Sequence, residues 1–324
     1  MKLATLKDGR LVVVSRDLTR AAPVGELTPS LLDALSRWTE VESVLRQTYD
    51  SLNRGSCQDV ERFEPALAAP PIPRPPQWLD GSAFENHGRL MEKAFNMPPA
   101  DYSTNPMMYQ GNADDFIGAC DDVVVPSEAD GIDLEGELGI LTDDVPMGCA
   151  REQALSHVRL FVLINDISLR THAPREMKTG FGWIQAKPCT ALSSVAVTPD
   201  ELGEAWTDGH VSLDMIGQRN GQHLGRPNGR EMSFGFDQLI AYAAYSRTLR
   251  SGTVIGSGTF SNRARGAGSV CIAERRAIEL IDHGEITTPF LKFGERVRLE
   301  MIGLDGISIF GAIDQRIACP PIVN

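Results

Sequence analysis

The sequence predicts an α+β protein with a mixed β core, short flanking helices and a small N-terminal α+β domain. Strand-like patterns dominate the second half of the chain, without the regular strand–helix alternation of a doubly wound sheet. A predicted hairpin and helix near the N terminus are followed by a proline-rich stretch, which is typical of a stiff linker. The 324 residues, 42% hydrophobic and 23% charged, suit one large domain with a smaller one.

The charge and the cysteines argue against several classes of protein. The 31 basic and 43 acidic residues give a net charge of -12, whereas nucleic-acid binding needs clustered lysine and arginine. No apolar run approaches the ~20 residues that span a bilayer, and the first residues become polar too early for a secretory signal. The 6 cysteines are scattered, which indicates reduced thiols. We therefore expect a cytoplasmic protein that binds neither nucleic acid nor membranes.

Turn and capping residues predict the N-terminal elements. Asp8-Gly9 separates two apolar runs and predicts a hairpin over residues 1–16. Thr28 is the expected N-cap of the next helix, with Pro29 at its first position.

A change in composition marks the expected domain boundary. Residues 65–76 are rich in proline and predict an extended linker. We place a small N-terminal domain at residues 1–69 and a larger domain at residues 70–324.

Hydrophobic periodicity predicts the elements of the larger domain. Helices are expected where apolar residues recur at helical spacing, at residues 82–95, 151–157 and 236–247. Strands are expected at residues 107–111, 121–126, 131–141, 160–164, 184–188, 191–217, 253–260, 270–281 and 297–302. Asn220-Gly221 predicts a hairpin turn, and the polar segment 170–183 would suit a mobile lid.

Residues 131–141 carry the pattern on which the functional argument depends. With a period of two, this strand places aliphatic residues on one face and Asp133, Glu135 and Glu137 on the other. Such a face is most often solvated. It also suits one wall of a site for a hard cation, which takes oxygen ligands.

Three other polar residues stand in apolar surroundings. His87 shares a predicted helix face with apolar residues, which is more typical of a core histidine than of a catalytic one. Asp80 lies where a helix N-cap would stand. Asp166 follows a buried strand, where it either binds a cation or accepts turn hydrogen bonds. The chain has no complete dinucleotide fingerprint, no nucleophile elbow and no zinc-protease motif.

Six short motifs occur in order within residues 75–305. They are Asp80 with His87, Glu135-Gly136-Glu137, Asn165-Asp166-Ile167-Ser168-Leu169-Arg170, Lys187, Gly256-Ser257-Gly258-Thr259, and Phe290-Leu291-Lys292 with Gly294, Glu300 and Gly303. Each motif is weak alone. In this order and spacing, the chain resembles the fumarylacetoacetate hydrolase superfamily, and Tyr109-Gln110-Gly111 resembles its bacterial members.

The resemblance implies a rolled β-sandwich core, a small N-terminal domain and a homodimer. It implies Mg²⁺, or Mn²⁺ or Ca²⁺, on four carboxylates: Asp80, Glu135, Glu137 and Asp166. An all-oxygen ligand set also fits a hard cation independently. It further implies a catalytic His87 paired with an acid, which we take as Glu274 on the strand predicted at 270–281. The implied substrate contacts are Tyr109, Arg170, Lys187 and Thr259, with Lys187 also catalytic.

The implied activity is hydrolysis of a C–C bond in a 1,3-dicarbonyl acid, such as fumarylacetoacetate or an acylpyruvate. The setting would be the catabolism of aromatic compounds, including tyrosine degradation. The same metal site would alternatively serve a 2-keto acid decarboxylase, an isomerase or a dehydratase. A third alternative is an inert binding or structural protein.

Overall fold

The computed structural model describes residues 1–102 and 104–321. Over these residues the chain forms seven α-helices and twenty β-strands. In chain order the helices α1 to α7 are Leu31–Ser36, Trp38–Arg54, Glu85–Phe95, Arg151–Ala154, Ala173–Thr179, Phe236–Ala243 and Ile272–His283. The strands β1 to β20 are Lys2–Thr5, Leu11–Val14, Arg20–Pro23, Glu61–Arg62, Trp78–Gly81, Met108–Gln110, Val123–Val124, Ile132–Asp133, Gly136–Thr142, Val158–Asp166, Ser168–Leu169, Thr190–Leu192, Ala196–Val197, Trp206–Thr207, His210–Val211, Met215–Arg219, Gln222–Gly225, Val254–Gly256, Arg296–Met301 and Ile313–Ala318.

An eleven-stranded sheet carries the candidate site. Its strands run in the order β4-β3-β2-β1-β13-β10-β9-β18-β5-β6, and β12 pairs with β10. β18 and β5 are parallel, whereas β9 is antiparallel to both β10 and β18. The N-terminal hairpin belongs to this sheet, because Lys2 on β1 pairs with Val197 on β13. Residues from distant parts of the sequence therefore meet on β5, β9 and β10.

A second sheet of five strands has the order β17-β16-β19-β20-β7, and two short ribbons pair β8 with β11 and β14 with β15. Apolar side chains cover both faces of the large sheet. Leu138 and Phe161 belong to one core cluster, whereas Leu141 and Leu160 belong to a second cluster with Leu45 of α2. Burial on two faces explains why β10 is an almost continuous apolar run.

The strand predicted at residues 270–281 is wrong, because this region forms α7. Cys271 is the N-cap of the helix, and its Sγ accepts the Glu274 N–H at 3.4 Å. Gly284 ends the helix in the left-handed conformation, with φ of 81°. A short apolar run such as residues 270–273 does not distinguish a strand from a buried helix.

Two other local predictions are also wrong. The first helix is capped by Ser30, whose Oγ accepts the Asp33 N–H at 3.1 Å, whereas Thr28 donates its hydroxyl to the Asp33 carboxylate at 2.7 Å. Residues 184–188 form no strand. Backbone N–H groups at the start of this segment donate to the carboxylate of Glu176 instead of a neighbouring strand.

The mixed α+β class predicted from the sequence is confirmed, with large mixed sheets and modest helix content. Within residues 1–102 and 104–321, no helix has both the length and the apolar character needed to cross a membrane.

Candidate active site

Three buried carboxylates converge where the central strands lie side by side. Asp80 is on β5, Glu137 on β9 and Asp166 at the end of β10. One oxygen of each carboxylate lies within 4.8 Å of the others. The exposed fractions of Asp80, Glu137 and Asp166 are 4%, 0% and 0%. We call these three residues the carboxylate cluster.

Glu137 provides the test of whether the carboxylate cluster suits a metal ion. Both of its oxygens are buried, and neither has a hydrogen-bond partner among the described residues. Burial, and then repulsion by Asp80 and Asp166, raises the pKa of Glu137 well above its ordinary value of 4.5. Burial and the charge of Asp166 also raise the pKa of Asp80. A divalent cation would offset both effects and take these oxygens as ligands, so the residues fit a hard cation.

Glu135 lies next to the carboxylate cluster and is held by two basic side chains. Lys187 Nζ donates to its Oε2 at 2.5 Å, and Arg170 Nη2 donates to its Oε1 at 2.5 Å. Burial favours the neutral acid, but Arg170 and Lys187 outweigh it and hold the pKa of Glu135 well below its ordinary value. Lys187 also donates to Asp166, which ties Glu135 to the cluster. Glu135 is thus an ionised carboxylate beside the carboxylate cluster, and its oxygens could also act as metal ligands.

Asp166 is oriented by three donors. The Tyr109 hydroxyl and Lys187 Nζ donate to Oδ2, and the Thr190 hydroxyl donates to Oδ1 at 2.9 Å. Burial, with the nearby charge of Asp166, raises the pKa of Tyr109, so its hydroxyl stays a donor. The Trp183 ring meets Tyr109 edge-on, with centroids 6.1 Å apart. Sequence reasoning missed Thr190, which becomes visible only in the β10–β12 ladder, where it pairs with Asp166.

His87 and Glu274 form a second component of the site. His87 on α3 and Glu274 on α7 are joined by a 2.8 Å bond between Nδ1 and Oε2. The Glu274 side chain is 1% exposed, whereas the His87 side chain is 16% exposed. A ring nitrogen of His87 also lies within 4.8 Å of a Glu135 oxygen. The imidazole is therefore held by a buried carboxylate next to the candidate metal ligands.

The loop that follows β18 brings its backbone close to Asp80. Gly258, at φ of 75°, donates its N–H to Asp80 Oδ1 at 3.2 Å. A Cβ at Gly256 would lie 2.3 Å from the same oxygen. Thr259 is the next residue of this loop and is 5% exposed. The glycines thus admit the carboxylate of Asp80, a requirement that explains their place in the sequence motif.

Two buried residues of the site are not among the catalytic, metal-binding and substrate-binding residues predicted from the sequence. Asp133 accepts the Arg170 Nε–H at 2.8 Å, so Arg170, predicted to contact substrate, bonds to the protein carboxylates of Asp133 and Glu135. The alternation of Asp133 with Glu135 and Glu137 was the available signal. Cys271 Sγ lies within 4.8 Å of the His87 and Glu135 ligand atoms, and nothing in the sequence pattern indicated it.

The structure brings nine of the ten predicted site residues into one connected set, and the tenth, Thr259, lies in the loop against Asp80. The nine are Asp80, His87, Tyr109, Glu135, Glu137, Asp166, Arg170, Lys187 and Glu274.

Proteins that are similar to this chain in sequence or fold include enzymes with different activities. A 2,4-didehydro-3-deoxy-L-rhamnonate hydrolase of Sphingomonas sp. (strain SKA58) is 28% identical over 244 residues, covering 72% of this chain and 80% of the relative. A mitochondrial oxaloacetate tautomerase of Xenopus laevis is 27% identical over 235 residues, covering 71% and 69%. The crystal structure of maleylpyruvate hydrolase from Sphingobium sp. SYK-6, solved with manganese(II) and pyruvate, has a TM-score of 0.68 at 20% identity. The similarity covers 99% of this chain and 100% of that one, and it shows a shared fold.

Two family models match consecutive parts of the chain. The model described as fumarylacetoacetase N-terminal domain 2 matches residues 1–74. The model described as fumarylacetoacetate (FAA) hydrolase C-terminal matches residues 77–318, a range that includes all the site residues described above. The chain therefore belongs to the fumarylacetoacetate hydrolase family.

Proposed function

We propose that the protein hydrolyses a C–C bond of a 1,3-dicarbonyl acid of the acylpyruvate or fumarylacetoacetate type. One observation carries this proposal: the His87–Glu274 pair lies beside Glu135, which Lys187 links to the carboxylate cluster. Hydrolysis of such an acid needs a base for water and an electrophile for two carbonyl oxygens, and this arrangement provides a place for each.

We assign Mg²⁺, with Mn²⁺ or Ca²⁺ as alternatives, to four ligands: Asp80, Glu135, Glu137 and Asp166. When bound, the cation supplies Lewis-acid polarisation of the substrate oxygens. Four carboxylates exceed the charge of one divalent ion, and the contacts of Lys187 and Arg170 with Glu135 offset part of that excess.

His87 is the proposed general base. In the tautomer that we assign, the proton on Nδ1 is shared with the carboxylate of Glu274, so Nε2 keeps a lone pair for a proton of water. The resulting hydroxide attacks the distal carbonyl carbon of the substrate. Glu274 stabilises the imidazolium that His87 becomes, and it keeps the ring in one orientation.

The C–C bond between the attacked carbonyl and the methylene carbon then breaks. Its electron pair passes to the methylene carbon and the adjacent carbonyl, which together become an enolate. Lys187 donates to the enolate oxygen, and it remains protonated because Asp166 and Glu135 raise its pKa against the opposing effect of burial. His87 returns its proton to carbon, so one water and one dicarbonyl acid yield a carboxylic acid and a keto acid.

Tyr109 and Thr259 are the proposed substrate contacts. Tyr109 borders the carboxylate cluster through Asp166, and Thr259 follows the glycine that contacts Asp80. Segment 171–183, which contains α5, ends with Trp183 against Tyr109 and would close over this edge of the site.

The name of the Sphingomonas relative supports the substrate class. It describes an acid with carbonyl groups at carbons 2 and 4 on either side of a deoxygenated carbon 3, which is a 1,3-dicarbonyl acid. We therefore propose to assay acylpyruvates, fumarylacetoacetate and 2,4-dioxo sugar acids with Mg²⁺ and with Mn²⁺. Loss of enol absorbance with release of pyruvate from acylpyruvates is the expected result. No cleavage of any member of this panel by metal-loaded protein would contradict the proposal.

The second candidate is tautomerisation or isomerisation of a keto acid at the same site. The tautomerase from Xenopus laevis favours it, since proton transfer between carbon and oxygen needs a cation and a base but no attacking water. Product analysis distinguishes the two, because hydrolysis consumes water and yields two acids, while an isomerase returns a product of unchanged mass. Release of CO₂ would identify a decarboxylase instead.

We also propose a homodimer and a role in the catabolism of aromatic compounds. Light scattering of the purified protein tests the first. Growth of a deletion strain on tyrosine or related aromatic acids tests the second.

A further inference from the structure

Asp133 is a fully buried carboxylate at which several donors from distant parts of the chain meet. It ends β8, next to Ser168 of β11, and has an exposed fraction of 0%. Its Oδ1 accepts the N–H of Ile272 at 2.7 Å, and its Oδ2 accepts the N–H of Ala273 at 2.9 Å. Oδ2 also accepts the Arg170 Nε–H at 2.8 Å. A buried carboxylate is costly unless it is paired in this way, so its contacts fix the groups around it.

One set of contacts leads to the catalytic pair. Ile272 and Ala273 are the first two residues of α7, whose N–H groups have no partner within the helix. A negative charge at this end is also favourable for the helix dipole. Glu274 is the next residue and bonds to His87 Nδ1 at 2.8 Å. Asp133, together with the N-cap Cys271, therefore holds the first turn of α7, which carries Glu274.

The other contact leads to a proposed metal ligand. Arg170 uses Nε for Asp133 and Nη2 for Glu135 Oε1, at 2.8 and 2.5 Å. The guanidinium is planar and rigid, so fixing one nitrogen on Asp133 also fixes the nitrogen that holds Glu135.

We propose that Asp133 is a positioning residue that aligns the His87–Glu274 pair with the proposed metal ligand Glu135. Arg170 acts with it and holds a carboxylate of the protein, not one of the substrate. This inference rests on the proposed metal-dependent function of the site. It assigns no contact with substrate to Asp133.

The test compares Asp133→Asn with wild type, using Mn²⁺ alone as the probe. Free Mn²⁺ is measured by electron paramagnetic resonance, and folding is checked by circular dichroism. We expect Asp133→Asn to weaken Mn²⁺ binding about tenfold, the lower end of the effect of groups that orient metal ligands. Turnover at saturating Mn²⁺ and substrate should fall as well, because Glu274 also moves. Arg170→Lys keeps a positive charge but removes the planar guanidinium that contacts Asp133 and Glu135 together. It should therefore also weaken Mn²⁺ binding about tenfold.

Glu279→Gln is the matched control. Glu279 is a buried carboxylate on the same helix, and it likewise accepts two backbone N–H groups, from Thr287 and Thr288 at 2.8 and 2.9 Å. It contacts none of the site residues named above, so its substitution should destabilise the protein while leaving Mn²⁺ affinity and turnover unchanged. Equal loss of Mn²⁺ affinity in Glu279→Gln and Asp133→Asn would overturn the inference.

The second measurement compares the loss of Mn²⁺ affinity in the Asp133 and Arg170 double variant with the losses in the two single variants. In an Arg170→Lys background, Asp133→Asn should cause little further loss of Mn²⁺ affinity, since both changes break the same link to Glu135. Independent, multiplicative losses of Mn²⁺ affinity would contradict a shared link.

If Asp133→Asn does not fold, Arg170→Lys is used for the test instead, and unchanged Mn²⁺ affinity in Arg170→Lys would overturn the inference. Wild-type protein that binds no Mn²⁺ would overturn the proposed function as well, whereas binding that is equal in wild type and variants overturns only the role of Asp133.

Discussion

His87 Nδ1 lies 2.8 Å from Glu274 Oε2, although the two residues are 187 positions apart in the sequence. The bond connects α3 to α7, and Glu274 stands in the first turn of its helix, just after the residues held by Asp133. Glu274 is buried, His87 is half-buried, and a ring nitrogen of His87 lies within 4.8 Å of a Glu135 oxygen. A partly exposed imidazole that is oriented by a buried carboxylate suits a general base.

The first prediction concerns this pair. His87→Ala should lower kcat by about 10²- to 10⁴-fold, because it removes the base, and Glu274→Gln should lower it by about 10²-fold, because the ring loses its orientation. The measurement is the rate of acylpyruvate cleavage at saturating Mn²⁺. Both variants should still bind Mn²⁺, which serves as the control for an intact site. Unchanged turnover in His87→Ala would show that another group activates water.

The second prediction concerns the metal. Treatment with EDTA should abolish activity, and Mg²⁺ or Mn²⁺ should restore it, because the available ligands are hard oxygen donors. Glu137→Gln should abolish this restoration, since its two oxygens have no other partner among the described residues. The assay is activity after dialysis against EDTA and re-addition of each metal. Full activity in the EDTA-treated protein would exclude a catalytic metal.

The third prediction concerns the pH dependence of the stability of the metal-free protein. Burial and neighbouring carboxylates raise the folded-state pKa of Glu137 above its ordinary value of 4.5. Between the two pKa values the folded state binds more protons than the unfolded state, so the free energy of unfolding falls as pH rises above about 4.5. Glu137→Gln should therefore raise the melting temperature of the metal-free protein at pH 7 and flatten this slope. Thermal unfolding at pH 7 measures the melting temperature, and urea unfolding between pH 4.5 and 8 measures the slope, both with EDTA. An equal or steeper slope in the variant would contradict the assignment.

The fourth prediction concerns Lys187. Its ammonium contacts Glu135 and Asp166 and is the proposed donor to the enolate. Lys187→Met should lower kcat by about 10²- to 10³-fold, the range for loss of one donor to a developing anion. Lys187→Arg should not restore the rate, because the larger planar group cannot replace a compact ammonium in a buried position. Steady-state kinetics with Mn²⁺ decide this, and wild-type kcat in Lys187→Met would contradict the proposed role.

The fifth prediction concerns the glycine loop. Gly256→Ala would place a Cβ 2.3 Å from Asp80 Oδ1 and 2.5 Å from the Trp78 ring, so Asp80 must move. We expect about tenfold weaker Mn²⁺ binding and a loss of about 1–3 kcal/mol in the free energy of unfolding. Gly266→Ala is the control, because a Cβ there meets nothing within 4 Å and should change neither quantity. Equal Mn²⁺ affinity in the two variants would contradict this account of the loop.

The sequence by itself determined the fold class, the family and the order of the motifs. Strand periodicity placed Glu135 and Glu137 on one face, and β10 appeared as an apolar run ending at Asp166. These signals are local, because they arise from alternation and from burial along a single segment. The domain boundary at residues 69–70 remains a prediction. In the structure, the preceding hairpin pairs with β13 of the main sheet through β1.

Only the tertiary structure decided which polar groups meet. Glu274 was expected on a strand, yet it reaches His87 from the first turn of a helix. Asp133, on a strand far earlier in the chain, accepts the first two N–H groups of that helix. The motif that contains Arg170 indicated a contact with substrate, yet Nε and Nη2 of Arg170 donate hydrogen bonds to Asp133 and Glu135. Thr190 became a partner of Asp166 only through the pairing of β12 with β10. The physical reason is that hydrogen bonds between distant segments depend on sheet order and helix docking, which periodicity along the chain does not encode.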